Sequence, residues 1–194
     1  THLNNVFAQR VLKERDENGI RILERFNAHQ ATVWGMNAEG KAVFSKWFSL
    51  QSGLTVQRSE YKDAVEWDED APAEKKFLRT PNVYGYFTMQ SSPIKRLSIA
   101  FSGNYNGRML VGHAAGSGVE KPVAVRTPSF FTLSLKASYD FDIYKQVKAQ
   151  FNAGIQNIGN VYQRDLDKGW NRDASYIYGP SLPRCFYVGL KLIY

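Results

Sequence analysis

One cysteine, Cys185, stands in 194 residues, so the chain has neither an internal disulfide framework nor a thiolate set for zinc. Histidine is almost as scarce. His2, His29 and His113 lie far apart, and none has the spacing of a metal-binding pair such as His-x-x-x-His. Long apolar runs are missing as well. Stretches such as 31–36 fall far below the roughly 18 residues a membrane helix needs, which excludes a helical membrane protein. The opening Thr1-His2-Leu3-Asn4-Asn5 has no initiator Met, basic segment or apolar segment, so a mature chain or an excised fragment is expected.

Aromatic and basic residues are what the chain has in plenty. Aromatics make up 14% of it, and a hydrophobic content of 43% argues against simple disorder even at a mean hydropathy of −0.41. Lys and Arg (25) outnumber Asp and Glu (18), a net charge of +7 that suits nucleic acid, acidic lipid headgroups or an anionic ligand. The excess is uneven: residues 59–79 hold seven acids against four bases. The bases follow strand parity rather than forming one stripe, so nucleic acid is not expected as a partner.

A period of two dominates from about residue 43 onward. Leu97, Ile99, Phe101 and Tyr105 share one parity; Ser98, Ala100, Ser102 and Asn104 share the other. The same holds for Phe131, Leu133, Leu135, Ala137, Tyr139 and Phe141 against Thr132, Ser134, Lys136, Ser138 and Asp140. It holds again for Val147, Ala149, Phe151, Ala153 and Ile155, and for Phe186, Val188, Leu190, Leu192 and Tyr194. Residues 3–14 and 20–36 fit two strands joined by the Asp16-Glu17-Asn18-Gly19 turn, although Val6, Phe7, Val11 and Leu12 also suit a short helix. Short connections are expected at 37–40, 91–95 and 140–145, and long ones at 59–79, 110–127 and 160–183. Arg79-Thr80-Pro81 and Arg126-Thr127-Pro128 each close a long connection and open a strand, where proline costs no ladder hydrogen bond.

Alternation alone does not separate a soluble barrel with an oily interior from a membrane barrel with an oily exterior. The polar face does. It is mostly Ser, Thr, Asn, Gln and Ala, with only Lys136, Asp140, Lys148 and Lys191 charged in the four clean strands. Small neutral groups suit a wet lumen. Tyr105, Phe131, Tyr139, Phe141, Phe186 and Tyr194 fall near strand ends on the apolar parity, where an interfacial girdle would lie. The expected fold is all-β: an antiparallel up-and-down transmembrane β-barrel of about eight strands.

Segment 153–165 (Ala-Gly-Ile-Gln-Asn-Ile-Gly-Asn-Val-Tyr-Gln-Arg-Asp) resembles the strand-to-loop motif near the end of TonB-dependent outer-membrane receptors. So do Tyr178-Gly179-Pro180-Ser181-Leu182-Pro183-Arg184, the two Arg-Thr-Pro openers and the alternating close at Tyr194. Segment 31–40 is similar too, with Asn37 where the family often has Glu. The stretch 167–174 resembles receptors of the Bacteroides type. The resemblance implies that residues 1–194 are the C-terminal portion of a 22-stranded barrel, without the plug. The implied activity is import of a scarce nutrient across the outer membrane of a Gram-negative bacterium. A metal chelate such as a ferric siderophore, haem or cobalamin is the implied cargo. The implied partners are outer-membrane lipid and lipopolysaccharide, the plug and remaining strands, the TonB complex through the absent N-terminal part, and a surface lipoprotein. The terminal strand carrying Phe186, Val188, Leu190, Leu192 and Tyr194 would be read by the barrel-assembly machinery. Two other readings stay open: a self-contained eight-stranded membrane barrel serving as anchor or lipid-modifying enzyme, and a lipocalin-like binder.

No spacing of Ser, His and Asp suggests a nucleophile with its base, so no catalytic residue, cofactor or metal ligand is expected. Asp165-Leu166-Asp167-Lys168-Gly169 falls short of a calcium loop because the third acidic position is Gly169 and no Glu follows at the required distance. Glu66, Asp68, Glu69 and Asp70 read as a solvated loop, His113 as a solvated histidine, and Gly116-Ser117-Gly118 as a loop tip. Cys185 opens the last strand on the lumen parity, as an inert small residue. Trp170, Arg172, Tyr176 and Tyr178 are the ligand-contact candidates, because aromatics with a guanidinium stack on and pair with anionic chelates.

Overall fold

A computed structural model describes residues 1–116, 118–144 and 147–193. These form strands β1 (His2–Asn4), β2 (Phe7–Arg15), β3 (Arg21–Asn27), β4 (Gln30–Ser45), β5 (Phe48–Val65), β6 (Glu74–Lys76) and β7 (Val83–Ile94). Then follow β8 (Leu97–Asn106), β9 (Leu110–His113), β10 (Val123–Arg126), β11 (Phe130–Tyr144), β12 (Val147–Gln156) and β13 (Cys185–Ile193). No helix occurs among the described residues. One sheet runs in the order β1-β4-β5-β7-β8-β11-β12-β13, with β6 added to β5, and each pairing in it is antiparallel. The meander expected from the alternation is therefore the fold.

Register makes the apolar parity of each strand continuous with its neighbours. Ala42, Leu50, Met89, Phe101, Leu135, Ile155 and Phe186 are partnered in succession across seven strands. The next row on the opposite face reads Gln51, Thr88, Ser102 and Ser134. A slip of one residue at any ladder would put a polar row into the apolar face, so the pattern specifies the pairing. The sheet is a single layer that packs little against itself. Its accessible surface is 13503 Å², against about 9,400 Å² for a soluble monomer of 22.1 kDa. Trp34, Met36, Phe151, Phe186, Val188 and Leu190 all stand exposed on the apolar face. A membrane, rather than a second protein layer, matches that surface.

Two-residue turns join β4 to β5 at Lys46-Trp47 and β7 to β8 at Lys95-Arg96, with Arg96 at φ +74°. The long connections 66–82, 107–129 and 157–184, and the β2–β3 hairpin, lie at the opposite end. The segment expected as a turn at 37–40 is instead the middle of β4, with Asn37 opposite Thr55 and Gly40 opposite Ser52. Small polar residues there reflect a wet face, which local propensity reads as a turn. Residues 59–65 extend β5 rather than opening a loop, and 110–127 contains the β9–β10 hairpin. The first hairpin forms as strands, not helix, because Asp16 Oδ1 accepts from the amides of Asn18 (2.9 Å) and Ile20 (2.8 Å) and closes the turn. The stretch 20–36 is split between β3 and β4 at Ala28-His29, where His29 sits at φ +61°. The final residue of the expected connection 140–145 lies outside the described residues, and so does Tyr194.

Candidate functional site

The polar face of β7, β8, β11 and β12 forms one wall of a cavity of about 680 Å³, roofed by 178–182 of the last long loop. Thr88, Ser102, Asn104, Thr132, Ser134 and Lys136 contribute its wall. These are hydroxyls and amides with a single ammonium, so the surface binds by hydrogen bonds and water rather than by a fixed charge. Gly154 lets the wall stay smooth: a Cβ there would sit 2.5 Å from the Tyr187 ring, leaving no room for a side chain beneath it. Gly53 does the same for Tyr86, at 2.6 Å, and the freed Tyr86 hydroxyl reaches Glu39.

Above the wall the long loops are tied together by buried polar groups. His113, at the end of β9, is 5% exposed; its Nε2 meets Asp167 Oδ2 at 2.9 Å and its ring stacks on Tyr176 at 3.8 Å, 7° from parallel. The expectation of a solvated histidine fails because two loops close over it. The Tyr176 and Tyr178 hydroxyls donate to the two oxygens of Asp165 at 2.9 and 2.6 Å. Burial opposes charge on Asp165, but the Tyr178 and Tyr176 hydroxyls outweigh it and hold the carboxyl below its usual range. Burial, followed by that carboxylate, pushes the Tyr176 phenol up to about 12 and moves Tyr178 the same way. The Asp173 amide and then His113 hold Asp167 below its usual range. Ala114 N donates to Asp173 Oδ2 at 2.8 Å, joining the same two loops a second time.

The acidic run is likewise no solvated loop. Arg21 grips Asp68 with Nη1–Oδ2 at 2.8 Å and Nη2–Oδ1 at 3.0 Å, and Asp68 is fully buried. Arg10 meets Glu24 and Glu66, and Lys13 meets Asp70 at 3.0 Å. The acids are the seat of the β2–β3 hairpin.

The four ligand-contact candidates divide. Trp170 is 98% exposed and Arg172 is exposed, both free to meet something arriving from outside. Tyr176 is buried in the His113–Asp165 network, while Tyr178 is half-buried and also lines the large cavity. Phe186, Val188, Leu190 and Leu192 project from β13 on the apolar face. Gln163 and Asn157 escaped the sequence reading. Gln163 is buried, donates to Tyr176 O at 3.1 Å and accepts from Tyr178 N at 2.9 Å. Asn157, at φ +50°, donates to Val161 O and Leu182 O and so holds both ends of the last loop together. Only its Asn-Ile-Gly-Asn setting hinted at a turn. Among the described residues no group of three or more His, Cys, Asp or Glu converges on a metal position.

No family model and no curated protein sequence matches the chain. Solved structures do. The ferric-catecholate import receptor Fiu of E. coli K12 aligns over 98% of this chain and 23% of its own, at 18% identity and a TM-score of 0.60. The ferric enterobactin receptor PfeA of Pseudomonas aeruginosa aligns over 96% of this chain and 27% of its own, at 15% identity and a TM-score of 0.61. The chain thus spans about a quarter of the length of these receptors and shares the fold of that part of them.

Proposed function

We propose that this chain is the C-terminal barrel portion of a TonB-dependent outer-membrane receptor, and that the whole receptor imports a metal chelate into a Gram-negative cell. One observation carries the reading: a register-continuous apolar face backs a polar concave wall, with all long loops gathered at one end. That arrangement needs hydrocarbon outside and water inside. The sheet ends at β1, which covers the edge of β4 only as far as Val33, and at β13, and no ladder joins these edges among the described residues. Exposed edges of that length call for further strands, which favours a segment of a large barrel over a closed eight-stranded one. A ferric siderophore is favoured over haem or cobalamin as cargo, since the two receptors named above carry ferric catecholate or ferric enterobactin in their names. The plug and remaining strands, lipid and lipopolysaccharide, the TonB complex and a surface lipoprotein complete the assembly. In this reading the chain is a transporter segment, not an enzyme, and the Bacteroides type accounts for the 167–174 loop.

The test is ligand binding by the intact receptor with Trp170→Ala, Arg172→Ala and Tyr178→Ala. Loss of affinity at Trp170 and Arg172 is expected. Unchanged affinity in all three removes the last loop from the binding surface. Growth on the chelate that persists without TonB removes the energy-coupled import.

A further inference from the structure

We propose that Lys76, Arg108 and Arg126, with the hydroxyl of Ser59, form a binding site for a compact oxyanion, a phosphate or sulfate group. The three cations line one small cavity of about 60 Å³ between the feet of the 66–82 and 107–129 loops. A water needs roughly 10–15 Å³ by this measure, so the space holds a few waters or one four-oxygen anion, and no whole chelate. None of its nine lining residues carries a carboxylate. Lys76 stands opposite Glu60 in register, but Glu60 Oε1 is taken by Arg58 Nε at 2.9 Å. Among the described residues none of the three cations has a salt-bridge partner, unlike Arg10, Lys13 and Arg21 on the neighbouring hairpin.

Lys76, Arg108 and Arg126 are exposed, so solvent screens their mutual repulsion, and an anion in the cavity gains attraction from all three at once. Ser59 supplies a second sign. It is 7% exposed, it lines the cavity, and its hydroxyl has no hydrogen-bond partner among the described residues. The residue is largely buried but its oxygen is not sealed off, since the buried side-chain polar atom left without a partner among the described residues is Trp67 Nε1; the Ser59 hydroxyl is therefore free to donate to an occupant of the space the cations border. Thr80 and Asn82 add polar groups on the same lining. Two guanidinium forks, an ammonium and a hydroxyl match the oxygens of phosphate or sulfate better than a planar carboxylate. The assignment stands on this cavity and does not rest on the import reading.

The test is calorimetric titration of inorganic phosphate into the full-length protein in a maltoside detergent, which carries no phosphate. Saturable binding is expected, weakened by added chloride salt. R108Q/R126Q should weaken it at least about tenfold, and R108K/R126K, which keeps the charge and loses the forks, by an intermediate factor. Lipid A with its phosphates intact or removed, added as mixed micelles in the same maltoside, separates the sources. Competition by the phosphorylated lipid alone assigns a headgroup, and competition by neither assigns a soluble oxyanion. No saturable phosphate binding, equal binding in both variants, or competition by the dephosphorylated lipid overturns the proposal.

Discussion

The strand wall and the loop layer are held by opposite means. In the wall, identity is carried by parity: Phe101 and Ser102 are adjacent residues of β8, one facing the apolar side and one lining the polar cavity. Few side-chain hydrogen bonds are needed, because the backbone ladder satisfies itself and the solvent on each side does the sorting. In the loop layer the contacts are specific and distant. Arg21 and Asp68 lie 47 positions apart, His113 and Asp167 lie 54 apart, and each pair is largely or wholly buried. A wall of this kind tolerates any residue of the right polarity, whereas a loop layer of this kind tolerates few exchanges at a handful of sites.

Phe101→Arg tests that contrast hardest. A charge on the hydrocarbon face near its middle should cost about 3 kcal/mol of unfolding free energy in lipid, while Ser102→Arg beside it should cost under about 0.5 kcal/mol. Equal losses would end the two-sided picture. Asp68→Asn should cost about 2 kcal/mol, because it leaves the Arg21 guanidinium partly buried beside a neutral group. The loss should show as faster hydrogen exchange confined to 7–27, with the wall unchanged. His113→Gln should loosen 157–184 by about 1 kcal/mol in the same measurement.

Acid and alkali separate the regions more finely. Asp165 and Asp167 have lowered values when folded, so their contribution is present above the ordinary carboxylate range and is lost as pH falls below about 4. Exchange in 157–184 should rise there before exchange in the strands. Tyr176 has a raised value, so its contribution holds below pH about 10 and is lost as pH climbs towards about 12. Absorbance titration should find Tyr176 and Tyr178 ionising after the other loop tyrosines. The smallest effect belongs to Trp170→Ala, within about 0.5 kcal/mol in stability because its side chain touches little.

How much could be read in advance follows from the same contrast. Strands β8, β11, β12 and β13 were visible because one side of each meets hydrocarbon and the other water, which prints a period of two on nearby residues. The 37–40 segment misled because Asn37 and its partner Thr55 on the wet face carry turn-forming chemistry inside a long strand. The acids 66–70 looked solvated because nothing near them in sequence announces Arg10, Lys13 and Arg21. Trp170 and Tyr176 looked alike by composition, yet one is exposed and the other stacks under an imidazole.

Strand parity, the polarity of each face and the placing of long connections are local properties, and the order of amino acids decides them through contact with two solvents. Which loop grips which, and where three cations without salt-bridge partners border one cavity with the Ser59 hydroxyl, depends on ladders that bring together residues from 17 (Ser59 and Lys76) to 67 (Ser59 and Arg126) positions apart. Those meetings exist only once the sheet has closed its register, because a loop's polar groups choose partners by proximity and no short stretch of chain contains both members of the pair.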